Sequence, residues 1–344
     1  MKFRALIIAI TLTAMLFIPM SAAFANPKGQ ALEEKPQTEE ISQAPEETPT
    51  ESTAQSEDEP DKQESFTEEY FRIYDVSEKT VKNVGYEEFV RGAIAAEMGA
   101  NFEFEALVAQ GTAALSCALY EKNTHFAADY DFTADPSNKL IYLTEEKAQE
   151  VFGGAFEESW ARICEAAAEA MKMVVVYNGA PAMTVYHAIS AGKTESAENV
   201  WGGAVEYLVP VESPGDGLSA DFETTVSVSK AKVLEILNSY GASLSGGAPE
   251  QWFEGAEISE SGYVKRIQIG AATFSGAKIR SLFGLRSSAF TVKYKDGDFV
   301  FTVRGYGHGV GMSQVGANYM AQNGATAKEI LEHYYPGTTV VPCT

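Results

Sequence analysis

The sequence predicts an α+β fold, and three observations carry that prediction. Apolar residues recur at helical spacing through the first part of the region beyond residue 66, turn dipeptides flanked by β-rich runs mark the later part, and helices precede hairpins.

Phe89, Val90, Ile94 and Ala95 predict a helix from Tyr86 to Glu97, with Gly99 where it should stop. A second helix is expected after Asn101 as N-cap, with Glu103 and Glu105 in its dipole-favoured first turn, running through Ala106, Leu107, Ala113 and Leu119 to about Tyr120. The alanine-rich stretch from Glu157 to Met171 reads as a third. Met173 to Tyr177 and Thr184 to His187 flank Asn178-Gly179 and read as two strands joined by a turn. Tyr263 to Ile269 alternates as a half-buried strand does, and Ala289 to Lys293 with Phe299 to Val303 flank the hairpin signal Asp296-Gly297. Ser313 to Asn323 should be a helix stopped by Gly324. Thr326-Ala-Lys-Glu329 is a capping box opening a last short helix, which Pro336-Gly337 ends.

Upstream, Lys2 and Arg4 precede an apolar stretch from Ala5 to Met20 and then Ala23-Phe24-Ala25, the pattern of a secretory signal peptide over 1–25, with a retained anchor as the alternative. Residues 26–65 are rich in Pro, Glu, Ser, Thr and Gln and cannot bury enough apolar area to offset ordering entropy, so an acidic tether is expected there. It carries roughly nine of the 22 net negative charges. The remainder, 66–344, is long enough for one large domain or two intimate lobes. Its acidity argues against nucleic acid and anionic membrane surfaces as partners, and the leader predicts an extracytoplasmic protein, secreted or tethered to the outer face of the cytoplasmic membrane. Cys117, Cys164 and Cys343 are too dispersed for a disulfide framework, and Cys117 reads as a buried small hydrophobe.

Three places could carry chemistry. Glu97, in Ala93-Ile-Ala-Ala-Glu-Met98, is a carboxyl at the C-terminal end of an apolar helix, where desolvation and the helix dipole both raise its pKa toward that of a general acid. The segment from His187 to Gly203 gathers Ser190, Lys193, Thr194, Glu195, Asn199 and Trp201, a mixture suited to hydrogen bonding and stacking on a sugar polymer, or else to a solvated surface loop. In Arg304-Gly-Tyr-Gly-His-Gly-Val-Gly-Met-Ser-Gln-Val-Gly316, four alternating glycines would let a ligand approach the chain and would display His308. No nucleotide, Ser-His-Asp or HExxH signature accompanies these places, and no cofactor or metal is expected.

Together the three places resemble the stage II sporulation protein D/LytB family. The likeness spans about 71–339. It rests on Ala95-Ala-Glu-Met98 with Glu105-Ala-Leu-Val-Ala-Gln110, on Gly192-Lys-Thr-Glu195 with Glu198-Asn-Val-Trp-Gly-Gly203 and Ser213-Pro-Gly-Asp216, and on Gly305-Tyr-Gly-His-Gly-Val-Gly-Met-Ser-Gln314. The resemblance implies a lytic transglycosylase acting on peptidoglycan glycan strands stripped of stem peptides, during septal wall remodelling in sporulation. It makes Glu97 the catalytic acid/base, associates Lys193 with activity, and implies a glycan-binding set of Ser190, Lys193, Thr194, Asn199, Trp201, Tyr306, His308, Gln314 and Gln110. Glycan strands are the implied partner, with a wall amidase and membrane proteins of the engulfment machinery as further candidates. For His308 three roles stand open: binding sugar, orienting Glu97 or bracing the glycine loop.

Departures from the family pattern matter as well. Leu115, in Ala113-Ala-Leu-Ser-Cys117, stands where the family carries an arginine, and a guanidinium that held substrate or oriented the glutamate would have no substitute here. The loop Ala188-Ile-Ser-Ala-Gly192 differs from the family's Ser-Thr-Ser-Gly-Gly. Some relatives bind zinc after the second helix, but His125 is followed by no cysteine, and no such site is expected. The competing reading is a non-catalytic wall-binding protein that recruits or enhances an amidase.

Overall fold

The computed structural model describes residues 70–125, 128–134, 140–245 and 248–343. The chain divides into a unit Met1–Thr67 and a unit Glu68–Thr344, and the signal peptide and tether expected at 1–25 and 26–65 lie outside the described residues. The second unit is mixed α+β, as the sequence predicts.

Strands β1 (Tyr70–Asp75) and β2 (Thr80–Gly85) form a hairpin before the first helix, α1 (Tyr86–Glu97). The long helix α2 (Phe104–Thr124) follows, then β3 (Phe132–Ala134), which pairs parallel to β1. α2 is buried nearly all round from Ala106 to Leu119 and packs against α1. Asn101 does not cap it. Glu103 takes the N-cap position with no side-chain bond, and its N–H donates to Asn318 Oδ1 at 2.7 Å.

Helices α3 (Glu145–Phe152) and α4 (Phe156–Ala170) complete the helical part, and α4 packs on α1 and α2. Strand β4 (Met173–Tyr177) turns at Asn178-Gly179, both at positive φ, into the two-residue β5 (Ala180–Pro181). The turn was legible, but the expected partner over Thr184–His187 was not the observed one. Only Tyr186–His187 form a strand, β6, and it pairs elsewhere. After the short helix α5 (Ala197–Trp201), the chain makes a 3-10 turn at Pro214–Leu218.

A second lobe then builds a core of its own. β7 (Glu223–Ser229), α6 (Lys230–Ser239), β8 (Glu257–Ile258), β9 (Val264–Ile269), β10 (Ala272–Ser275), α7 (Gly276–Phe283), β11 (Ala289–Lys295) and β12 (Asp298–Arg304) surround Val233, Ile267, Phe274, Ile279, Phe299 and Phe301. β12 lies between β11 and β7, antiparallel to both, and its hairpin with β11 turns at Asp296-Gly297. The chain then returns to the helical part through the glycine run, β13 (Met312–Ser313), α8 (Gln314–Gln322), α9 (Ala327–Tyr334) and β14 (Thr339–Pro342). α8 and α9 pack on α2, and β14 pairs with β4. The capping box at Thr326 and Glu329 is formed.

The glycine run is a packing solution and not a surface opened for a ligand. Gly305, Gly307, Gly309 and Gly311 all have positive φ, and the run lies against residues 185–195 through Tyr306 N–H to Ile189 O, Glu195 N–H to Gly309 O and the parallel pairing of β13 with β6. A Cβ on Gly307 would stand 2.7 Å from His187 Cβ, and one on Gly311 would stand 2.1 Å from Val185 O. The protein's own backbone occupies the space the glycines vacate. Replacing Gly311 by Ala should therefore cost on the order of 2–4 kcal/mol in chemical denaturation, from positive-φ strain and overpacking together. Gly324→Ala, at a positive φ with open space around it, should cost about 1 kcal/mol.

Candidate active site

Glu97 is the last residue of α1 and is half-buried. Its carboxyl has protein on most sides yet keeps solvent contact, and desolvation pushes its pKa up to about 7, opposed by a hydrogen bond from Gln314. The expected helix-dipole contribution is not among the resolved causes. Gln314, the first residue of α8 after the N-cap Ser313, donates through Nε2 to Glu97 Oε2 at 3.3 Å and to Gln110 Oε1 at 3.4 Å. Both glutamines are buried, so α1, α2 and α8 meet in one polar contact within an apolar setting.

Tyr186 closes this cluster from β6. It is buried, its hydroxyl lies beside Gln110, and burial followed by the nearby Glu97 carboxylate pushes its pKa up against the Gln110 hydrogen bond. Sequence reasoning missed it because a tyrosine in a short apolar run carries no signal of its own. Among the described residues no second carboxyl shifts the Glu97 pKa.

The neighbouring His187 points to a second group of side chains. Its Nδ1 lies 3.1 Å from Val310 O, and since a carbonyl can only accept, Nδ1 carries the ring proton. His308 has the opposite tautomer, because its Nδ1 accepts from the Val310 N–H at 3.0 Å. One peptide unit on each side of Val310 thus orients both rings, whose centroids are 5.7 Å apart. Burial depresses the His187 pKa to about 4, keeping it neutral, and its Nε2 is buried without a partner. Trp201, 45% exposed at the end of α5, stands 5.3 Å from the His308 ring. Asn199 Nδ2 donates to Glu195 Oε1 at 2.9 Å, and Tyr306 lies beneath the Arg286 guanidinium, 5.0 Å from the ring centroid.

The Val310 N–H to His308 Nδ1 hydrogen bond braces the glycine loop. Lys193 pairs with Glu212 at 3.3 Å. Six residues separate His308 from Gln314, so the aromatic group and the Glu97 cluster stand at most about 20 Å apart along the chain.

Two expected binding residues are structural. Ser190 is fully buried, with its N–H and Oγ donating to Asp216 Oδ2 at 2.9 and 2.5 Å. Thr194, also fully buried, accepts from Val211 N–H and donates to Val209 O. Asp216 Oδ1 takes a further bond from Ser313 Oγ at 2.7 Å, so this buried carboxyl joins the loop at 190, the turn at 214–218 and the start of α8. Burial raises its pKa against these hydrogen bonds.

Leu115 is fully buried in the middle of α2. Five residues on from Gln110, it points about 140° away round the helix from the residue that meets Gln314. Cys117 is buried, and Cys164 and Cys343 are free thiols. Among the described residues no group of three His, Cys, Asp or Glu could hold a metal ion.

Residues 74–177 match the family model described as SpoIID, Stage II sporulation protein. The chain is 32% identical over 271 residues to Stage II sporulation protein D of Bacillus subtilis (strain 168), covering 78% of both proteins. It is 31% identical over 271 residues to Stage II sporulation protein D of Bacillus amyloliquefaciens, covering 78% of this chain and 77% of that one. With the protein named Amidase enhancer of Bacillus subtilis (strain 168) it shares 26% identity over 303 residues, 73% of this chain and 40% of the relative. Identity at that level over more than two thirds of the chain places it in the stage II sporulation protein D family.

Proposed function

We propose that the protein is a lytic transglycosylase that cleaves peptidoglycan glycan strands, with Glu97 as its single acid/base. The observation that carries this reading is a half-buried carboxyl whose pKa is pushed up to about 7 with no second carboxyl among the described residues shifting it. A hydrolytic glycosidase uses two carboxyl groups, one as acid and one as base or nucleophile. A transglycosylase needs one, because the sugar supplies its own nucleophile.

In this mechanism protonated Glu97 gives its proton to the glycosidic oxygen as the bond from that oxygen to the muramic C1 breaks. The C6 hydroxyl of the same muramic residue closes on C1, and its proton passes to the Glu97 carboxylate. One C–O bond breaks, one forms, no water is consumed, and the acid is restored. Gln314, donating to Glu97 Oε2, holds the carboxyl for both transfers.

The likeness to an amidase enhancer favours a second reading, in which the protein binds wall glycan without cutting it. Incubating the full-length protein and Glu97→Gln with stripped glycan strands, and analysing the products by mass spectrometry, separates the two. Anhydro-muramic ends should form with wild type and fall about 100- to 10,000-fold with the variant. Retained glycan binding with no product from either protein would establish the binding reading instead.

The raised pKa sets two pH dependences. As Glu97 must enter the reaction protonated, kcat/KM should decline about tenfold per pH unit above about 7. For stability, the folded pKa of about 7 lies above the ordinary glutamate value of 4.5, so the contribution of Glu97 is fully present below the unfolded pKa and is lost as pH rises through the folded one. Glu97→Gln should therefore gain on wild type between pH 5 and 8, by on the order of 1–2 kcal/mol once solvent contact is allowed for, as measured by paired denaturation curves.

A further inference from the structure

Arg280 is a half-buried arginine with no carboxylate partner among the described residues. Arg72, Arg91, Arg266, Arg286 and Arg304 each pair with an Asp or Glu, while Arg162, like Arg280, donates to a backbone carbonyl, Phe102 O at 3.0 Å. The hydrogen bond Arg280 makes is from Nε to Leu285 O, at 3.4 Å, which leaves its two terminal nitrogens, with four N–H donors, unused. Those nitrogens are not sealed in, since they are not among the buried unpartnered atoms.

The loop after α7 delivers this guanidinium to the glycine run. Leu285 N–H returns to Arg280 O, the next residue's carbonyl, Arg286 O, accepts from Gly307 N–H at 3.0 Å, and the Arg286 side chain lies over Tyr306 while its NH1 pairs with Asp221 at 2.9 Å. Arg280 is within electrostatic reach of Tyr306, Tyr263 and His187. Burial pulls its pKa down, opposed by Tyr306 and Tyr263, and no carboxylate among the described residues stands against this cation. Such a group is matched by an anion brought by the ligand, and a planar guanidinium fits a carboxylate through two parallel hydrogen bonds.

A peptidoglycan glycan backbone carries one kind of carboxylate, the lactyl group of muramic acid. While the stem peptide is attached, that carboxyl is an amide and bears no charge. We propose that Arg280 is a specificity-determining residue that binds the free lactyl carboxylate, so that a strand is recognised by the anion left when its stem peptide has been removed. This rests on the glycan-cleaving reading above and adds to it the group that reads the state of the strand.

The test compares stripped glycan strands with the same strands after their carboxyls have been converted to methylamides. Binding to full-length protein carrying Glu97→Gln, so that no cleavage intervenes, is measured by calorimetry. Free-carboxylate strands should bind about 10- to 100-fold more tightly than methylamide strands, the difference expected of one charge-assisted bidentate contact. Arg280→Gln in that background should bind both strands alike, at the weaker affinity, and Arg280→Lys should keep part of the preference. Loss of the unpaired cation should not lower the melting temperature, which distinguishes a lost contact from a lost fold. Equal binding of the two strands by the Arg280-containing protein, or an undiminished preference in Arg280→Gln, would overturn the assignment while leaving glycan binding intact. Displacement of both strands by inorganic phosphate, with no preference between them, would mark a phosphate site instead and would also overturn it. Failure to bind either strand would overturn the glycan reading itself.

Discussion

The buried carboxyl of Asp216 is the interaction on which the candidate site depends. It accepts from the backbone and hydroxyl of Ser190 and from the hydroxyl of Ser313, and it lies on a turn fixed between the helical part and the inserted lobe. A carboxylate removed from water is costly unless its lone pairs are taken up, so the three donors must arrive together or not at all. Their arrival sets the loop at 188–195 against the start of α8. The glycine run must then pass through the remaining space, which is too narrow for side chains at Gly307 and Gly311.

From that clamp the site's geometry follows in both directions along the chain. One residue past Ser313, Gln314 reaches Glu97 and Gln110. Three residues before it, the Val310 peptide groups set opposite tautomers on His187 and His308. Because Tyr186 and His187 are consecutive on a strand, they face opposite ways, and so one short element serves both the Glu97 cluster and the aromatic group beside Trp201. The side chains at risk of wandering are held by backbone groups and buried amides, which is how a site is kept preorganised without a metal cluster among the described residues.

Much of this was legible in the sequence, for reasons that differ by element. α1, α9 and the hairpin at Asp296-Gly297 are specified locally, by apolar spacing, a capping box and a turn dipeptide. Glu97 was legible because its neighbours are alanines and a methionine, so its desolvation is itself local. The start of α2 differs from the expected one because the N–H of its N-cap residue Glu103 is satisfied by Asn318, more than 200 residues away. The strand at Thr184–His187 was mispaired because its partner, β13, comes from the far side of an inserted lobe. Ser190 and Thr194 resembled ligand-binding residues in composition, and only their long-range partners show them to be braces. The glycines were recognised as special, but a close approach by the chain itself and one by a ligand leave the same trace in a sequence.

Charge connects the site to the rest of the molecule. The chain carries a net charge of −22, and a stripped glycan strand is a polyanion, so long-range electrostatics oppose their meeting wherever salt does not screen them. A basic surface of the kind that binds nucleic acid would overcome that repulsion but would discriminate poorly between one anionic polymer and another. With the functions proposed above, Arg280 and Glu97 divide the labour differently: one cation with no carboxylate partner among the described residues, and one carboxyl whose pKa burial pushes up to about 7. A neutral acid adds no repulsion toward an incoming carboxylate, and a lone desolvated guanidinium attracts it most strongly where water has been excluded. An acidic protein can in this way act on an acidic polymer, with attraction confined to the few ångströms over which the ligand's own charge must be recognised.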